Sequence, residues 1–367
     1  MKQTVDYVIR KCFDFLTRPR SAALQVMRAG LGIAVLGFAS GWVFRIVVPT
    51  TRGNVDVSVS NAPGAEVFLH CVGVFGLIIF TLGVAWAAVD QLLEHRRLSR
   101  KRVLVIEVRG LRDTSDTPLA AAVPTALEGQ RDPLLIDLRQ PRDGKLLDPE
   151  AAVANLISLP REVQRRRDGH GRDNLSLVYG GLAPVPLNFL SGVLLDDEQA
   201  MVVMDWDRHR EVWRSLDGTD DGNRFDVRGI EQIPEGATDV ILAVSVSYEV
   251  DRPAIATTFP HLPLVELCLA QGGTDAHWSA EKQRALARQF LDTVIALSNR
   301  HVRVIHLVLA AQSSVVVQFG RRYDKRNLPT LIVYQYERGQ RPAYPWGVQV
   351  PVASSAEARI IWHGQRL

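Results

Sequence analysis

Two stretches of the chain carry residue types suited to holding an anion. LVYGGLAPVPLNFLSG occupies 177–192 and LVLAAQSSVVVQFGRR occupies 307–322. In each, an apolar run stops at small residues and an apolar helical stretch follows. The small residues are Gly180, Gly181, Ala183 and Pro184 in the first copy, and Ala310, Ala311, Gln312, Ser313 and Ser314 in the second. At a strand-to-helix junction such residues let a ligand approach the backbone. The helix start adds free N–H groups and a positive dipole end. Small residues also serve plain strand–helix packing, and a single glycine does not separate the two uses. The paired arrangement favours a ligand with several phosphates.

The two stretches are related by an offset of 130 (307 − 177). The same offset places Asn188-Phe189 on Gln318-Phe319, and Trp206-Asp207-Arg208 on Tyr336-Glu337-Arg338. A repeat this long points to duplication and to two halves around a pseudo-twofold axis. The loop after the first strand of each half should then join the junctions. Those loops hold Arg109, Gly110 and Arg112 in the first half, and Ser247 and Tyr248 in the second. Arginine suits phosphate, serine suits phosphate or sugar, and tyrosine stacks on a base. Trp206 and Tyr336 end equivalent strands. Strand alternation sends one of each neighbouring pair into the core, so stacking and packing both stay open for them. Arg321 and Arg322 suit phosphate, a neighbouring copy or plain solvation.

The elements that must position these residues alternate from residue 101 onward. KRVLVIEVRG, DPLLIDLRQ, NLSLVYGG and AMVVMDWDR read as strands of a first half, 101–226. TPLAAAVPTALEGQ, PEAAVANLISLPREVQRRR and PVPLNFLSG between them are helical or helix-permissive. The pattern restarts in 227–367 with DVILAVSVSYEV, HLPLVELCLA, VRVIHLVLA and LPTLIVYQYER as strands. WSAEKQRALARQFLDTVIALSNR is its amphipathic helix. Such alternation predicts a parallel α/β sheet, with ligands beyond the carboxyl ends of its strands.

Residues 1–100 read differently. The 23 residues of 67–89 carry no formal charge, enough to cross a bilayer core as a helix. A second candidate span, 29–48, has only Arg45 near its end, where a long side chain reaches the interface. Its late start, its length and the following span disfavour a secretory signal peptide. Basic residues cluster before the first span (Lys2, Arg10, Lys11, Arg18, Arg20, Arg28) and after the second (Arg96, Arg97, Arg100, Lys101, Arg102), with only Arg52 between. Both flanks are therefore expected in the cytoplasm. Gly37 and Gly41 share a helix face, which serves helix association or reflects the ordinary frequency of glycine in membrane helices. Cys12, Cys71 and Cys268 form no CxxC, which fits a reducing compartment.

The cytosolic part resembles a SAVED domain, a fusion of two CARF-like Rossmann halves. The residues that carry the likeness are VILAVSVSYEV, IHLVLAAQSSVVVQFGRR, PTLIVYQYER and the later AYPWGVQV. The turn AAQSS lacks the proline the family usually has there. With the two spans, the chain resembles two-span SAVED effectors of bacterial CBASS anti-phage systems. The fold class expected is α/β: two CARF-like Rossmann-type halves in a pseudo-symmetric SAVED domain, preceded by an N-terminal two-helix transmembrane hairpin.

The resemblance implies a receptor for a cyclic oligonucleotide, often a trinucleotide, made by a partner nucleotidyltransferase. It implies oligomerisation on binding, disruption of the bacterial inner membrane, no cofactor, and no DNA or RNA polymer as partner. The ligand-binding residues expected are Arg109, Gly110, Arg112, Gly180, Gly181, Ala183, Pro184, Ser247, Tyr248, Ala311, Gln312, Ser313, Ser314, Trp206 and Tyr336. No GxxxxGK[ST], HExxH or GxSxG occurs, nor a metal-spaced Cys/His set. HGRD at 170–173 reads as a solvent loop, and His209, His301, His306 and His363 as surface or core histidines. The chain therefore reads as a receptor and not an enzyme. The alternatives are a membrane-tethered phosphodiesterase acting on such a ring, and a membrane-anchored protein-binding scaffold.

Overall fold

A computed structural model describes residues 22–39, 44–50, 53–59, 65–139, 148–168, 174–196, 201–324, 326–351 and 357–363. The chain divides into two compact units, Met1–Ser99 and Arg100–Leu367. HGRD, Cys12 and Gly41 lie outside the described residues.

Among its described residues the first unit holds two helices and a hairpin. Helix α1 spans Ala22–Ala39, strands β1 and β2 span Phe44–Thr50 and Gly53–Val59, and α2 spans Ala65–Arg100. The expected span 67–89 lies inside α2, where the stretch Val67–Arg97 is long and apolar enough to cross a membrane. The helix at the expected span 29–48 has other bounds. It ends at Ala39, and residues 44–48 form β1, antiparallel to β2 with Ile46 opposite Val57 and Val48 opposite Val55. Ile46-Val47-Val48 followed by Pro49 favours extended backbone over helix. α1 and α2 meet through glycines. A Cβ at Gly37 would stand 2.2 Å from the Gly73 nitrogen, and one at Gly76 would stand 2.2 Å from the Ala34 nitrogen. The face carrying Gly37 is thus used inside the hairpin of helices.

The second unit contains two sheets of matching plan. In chain order its first half holds β3 (Arg102–Arg109), the single turn α3 (Leu119–Ala122), β4 (Gln130–Asp137), α4 (Pro149–Ile157), α5 (Leu159–Asp168), β5 (Leu175–Leu182), α6 (Val185–Leu194), β6 (Met201–Asp207) and β7 (Val212–Ser215). There follow β8 (Phe225–Arg228), β9 (Asp239–Ser245), α7 (Arg252–Thr258), β10 (Leu264–Leu269), α8 (Ala280–Asn299), β11 (Val304–Ala310), α9 (Ser313–Arg322), β12 (Thr330–Gln335), β13 (Trp346–Gln349) and β14 (Arg359–Trp362). One sheet runs β4-β3-β5-β6-β7 and the other β14-β13-β12-β11-β9-β10-β8. Without β8 and β14 the two orders are the same, parallel through four strands and closed by an antiparallel fifth.

Several boundaries follow from local chemistry. TPLAAAVPTALEGQ gives only α3, because Val123 is extended ahead of Pro124. PEAAVANLISLPREVQRRR breaks at Ser158, and Pro160 sits in the first turn of α5, where a missing N–H is harmless. α8 is capped by the Ser279 side chain and buries Leu286, Phe290, Val294 and Leu297 at helical spacing. β8 straddles the 226/227 boundary and pairs with β10 of the second sheet. The C-terminal strands complete the first half's core: Trp346 and Val348 cluster with Leu156, Leu187 and Leu190.

α6 and α9 cross at the centre of the unit. A Cβ on Gly192 would fall 2.3 Å from the Val317 oxygen, and one on Gly320 would fall 2.2 Å from the Phe189 oxygen. The two contacts are mirror copies with an offset of 128 (320 − 192, 317 − 189). At the strand ends, Gly110 and Leu111 donate to the Leu182 carbonyl as Val246 and Ser247 donate to that of Ala310, again an offset of 128 (310 − 182). The expected offset of 130 is therefore corrected for β5 and α6. It holds for β6, since Met201 pairs with Leu177 as Leu331 pairs with Ile305. Two additional residues between α9 and β12 account for the change.

Candidate functional site

Two clefts open at the carboxyl ends of the strands, and each is built by both halves. The first, about 250 Å³, takes Gly110 and Leu111 after β3, Pro184 before α6, and Gln335 and Glu337 from the end of β12. The second, about 190 Å³, takes Ser247 and Tyr248 after β9, Gln312 and Ser313 at the start of α9, and Asp205 and Trp206 from the end of β6. The clefts are pseudo-symmetric copies with the roles of the halves exchanged.

Each helix start is capped from the opposite half. The Asp205 carboxylate accepts from the Ser314 N–H at 2.9 Å and from the Trp206 N–H at 2.7 Å. Gln335, its equivalent at an offset of 130 (335 − 205), accepts through Oε1 from the Val185 N–H at 3.2 Å. These caps occupy N–H groups that the sequence offers to an anion. One cap is charged and the other neutral.

Behind Asp205 lies a buried polar cluster. His277 Nε2 stands 3.5 Å from Asp205 Oδ2, and neither ring nitrogen has a well-formed hydrogen bond among the described residues. Burial holds the His277 pKa below its ordinary value, against the pull of the Asp205 charge and the Thr274 carbonyl. The Gln283 amide donates to the His277 carbonyl and to Ser314 Oγ. Gln312 spends its amide on the carbonyls of Gly273 and Thr274, at 3.0 and 2.9 Å. Its Oε1 stays buried without a partner among the described residues.

The expected site residues divide by these contacts. Gly110 and Pro184 line the first cleft; Trp206, Ser247, Tyr248, Ala311, Gln312 and Ser313 line the second. Arg109 is turned inward, its Nε 2.7 Å from Glu107 Oε1 and its Nη1 3.0 Å from Ser115 Oγ. Arg112 pairs with Glu211 at 2.6 Å and lays its guanidinium over Trp206. Gly180 and Gly181 are packing residues: a Cβ would meet Trp213 at 2.8 Å and Asn188 at 2.5 Å respectively. Ala183 is buried beside them, and Ser314 is buried in the cap. Tyr336 is exposed, donates to Asp251 at 3.3 Å and packs on Tyr344. Arg321 and Arg322 line a separate groove with Met201 and Arg284.

Asp205, Gln335 and His277 were not anticipated. The repeat that sets Trp206 on Tyr336 also sets Asp205 on Gln335 one residue earlier, so the first two were within reach. His277 carries no local signal.

The fold and paired clefts define a two-half α/β domain with a module of apolar helices ahead of it in the chain. A family model for the SMODS-associated and fused to various effectors sensor domain, SAVED, matches residues 159–350. A second, the SAVED-fused 2TM effector domain, matches residues 2–153, and so reaches through β3 and β4. The chain belongs to the SAVED family: it is a SAVED sensor domain fused to a two-transmembrane effector domain.

Among solved structures the chain is similar to a Cap4 SAVED/CARF-domain containing receptor of Acinetobacter baumannii with the cyclic trinucleotide 2'3'3'-cAAA. The identity is 12%, the coverage 78% of this chain and 59% of that one, and the TM-score 0.45. A Moraxella osloensis Cap4 SAVED/CARF-domain containing receptor gives 11% identity, 78% and 57% coverage, and a TM-score of 0.42. The chain thus spans less than two thirds of the length of these receptors. Comparison with curated proteins finds no match.

Proposed function

We propose that the chain is a membrane-anchored receptor and effector: its SAVED domain binds a cyclic oligonucleotide, a trinucleotide first among them. Binding drives self-association, and the two-helix module then disrupts the bacterial inner membrane. The observation that carries this reading is the pair of pseudo-equivalent clefts at the strand ends. At about 190 and 250 Å³, each is below the roughly 300–1,000 Å³ of a pocket for a drug-sized ligand. Each therefore suits one part of a larger ring, and a ring presents similar parts to both. Tyr248, exposed at one mouth, and Arg208, exposed on the rim, supply stacking and charge. The basic residues on either side of the helices support a cytoplasmic N-terminus and SAVED domain, where a nucleotidyltransferase product is available.

A ligand shifts an assembly equilibrium only by its differential affinity for the two states, so the ring must bear on the contact between copies. The test is thermal melting of the full-length protein in detergent against cyclic di-, tri- and tetranucleotides, with light scattering on the same samples. A ring at about 100 times its dissociation constant should add roughly 2.7 kcal/mol, and the scattering mass should rise. Cleavage of the bound ring would favour the phosphodiesterase reading. A flat melt across all rings would favour the scaffold.

A further inference from the structure

We propose that the cleft at the start of α9 is a base subsite floored by hydrogen-bond acceptors, which takes the amino group of a nucleobase and excludes phosphate. This rests on the reading of the chain as a cyclic-oligonucleotide receptor and adds which part of the ring goes where.

Two acceptors make the floor, with a buried histidine behind them. Asp205 is 4% exposed and is fixed by the Trp206 and Ser314 N–H groups, so a full negative charge already stands at the α9 N-terminus. A phosphate there would meet a like charge at short range in a poorly solvated site. Gln312 has its amide orientation locked, since both donors go to the Gly273 and Thr274 carbonyls. That leaves its carbonyl oxygen as an unmet acceptor. His277, 3% exposed behind Asp205, carries one donor and one acceptor in its neutral ring and faces the Asp205 carboxylate and the Thr274 carbonyl, so it backs the floor and adds no acceptor of its own. Unmet buried acceptors favour a ligand that brings N–H donors.

The walls fit a base. Trp206 and Trp278 line the cleft, and Trp278 is held by Asp275 at 3.0 Å, with the Arg214 guanidinium over its ring. Arg208 is exposed on the rim and makes no ion pair among the described residues, so phosphate belongs outside the floor. The pseudo-equivalent cleft has neutral Gln335 where this one has Asp205. The carboxylate lining that cleft, Glu337, already accepts from the Trp346 Nε1–H at 2.8 Å, so only the α9 cleft has a charge at its helix start, and one base of a bound ring is read this way.

The experiment replaces amino groups on the ligand. Cyclic triadenylate and a mixed adenine–guanine ring are titrated into the full-length protein in detergent, and the tighter binder is carried forward. Its amino-bearing bases are then exchanged one, two and three at a time for hypoxanthine. A symmetric ring can rotate to present a remaining amine, so double exchange of cyclic triadenylate should weaken binding only about threefold, the fraction of competent orientations. Full exchange should weaken it at least about tenfold, because an adenine amine becomes a carbonyl acceptor facing the floor and a guanine amine is lost outright. Asp205→Asn, whose amide donates as well as accepts, should narrow that gap, and the wild-type series decides the matter should the variant not fold. An all-hypoxanthine ring that binds as tightly as its parent overturns the base subsite and leaves the receptor reading standing. Folded protein that binds no ring overturns both.

Discussion

The Asp205 carboxylate on β6 accepts a hydrogen bond from the Ser314 N–H at the start of α9, 2.9 Å away. The strand belongs to the first half and the helix to the second, so the cap is delivered across the pseudo-dyad. Gln335 on β12 returns the arrangement to α6. There the partner moves to Val185, because Pro186 stands where Ser314 would and has no N–H. The halves are thus joined at the same points where their clefts open. A ring that fills a cleft must act on the joint.

The caps should differ in strength. Asp205→Ala removes a charge-assisted bond to a buried helix start and is expected to cost about 1–3 kcal/mol. Gln335→Ala removes a longer, neutral bond and is expected to cost about 0.5–1.5 kcal/mol. Denaturant unfolding of each variant checks the order. Equal costs would mean that the negative charge contributes nothing at the α9 N-terminus.

The crossing of α6 and α9 makes a second test. A methyl group at Gly192 or Gly320 would overlap a carbonyl oxygen of the opposite helix, which is backbone and cannot swing aside. Each Gly→Ala change should cost about 1–3 kcal/mol through overpacking. Gly273→Ala, with nothing within 4 Å of its added Cβ, should be close to neutral. Similar melting temperatures for all three variants would contradict the close crossing.

Much of this plan is legible in the sequence, and the exceptions have physical reasons. Apolar runs mark the eight parallel strands, because buried parallel strands need continuous apolar faces. β7, β8, β13 and β14 have only four residues each, too short for a periodicity signal. The 130-residue offset survives at β6 and fails at β5 because the extra residues fall in a loop, which leaves no mark on apolar patterning. The first span ends at Ala39 instead of residue 48 because apolar content does not separate a helix from a β-branched strand. Arg109 and Glu107 are two apart and so share a strand face, which makes their pairing foreseeable. The Asp205 cap was not, because it joins residues 109 positions apart.

Stability should fall as the solution is acidified from neutral. His277 and His306 are both held below the ordinary value of 6.5, in each case chiefly by burial. Below that pH the unfolded chain takes up protons that the folded one refuses, so stability is full above about 6.5 and declines as pH falls. Asp220, drawn down to about 2 chiefly by its hydrogen bond from Arg224, adds a further loss only below its ordinary 3.8. Urea unfolding between pH 7.5 and 5 isolates the histidines. His277→Asn and His306→Gln should each flatten that slope, by as much as one proton. A slope unchanged in both variants would place the titrating group elsewhere.

The membrane module can be tested by where its glycines point. A side chain at Gly76 would drive into the Ala34 backbone of α1, whereas one at Gly32 meets nothing within 4 Å. Helix association in a bilayer depends on close packing, since lipid is as apolar as leucine. Gly76→Leu should therefore part α1 from α2, and Gly32→Leu should leave their contact unchanged. Ring-triggered dye release from vesicles carrying the full-length protein gives the readout. Release is expected to be largely lost in Gly76→Leu and retained in Gly32→Leu, with ring binding equal in both because the SAVED domain is untouched. If both variants released dye like the parent, the packed helix pair would not be the working part of the effector. If Gly32→Leu alone failed, the outward face of α1, which carries Gly32, would be the surface that matters for release.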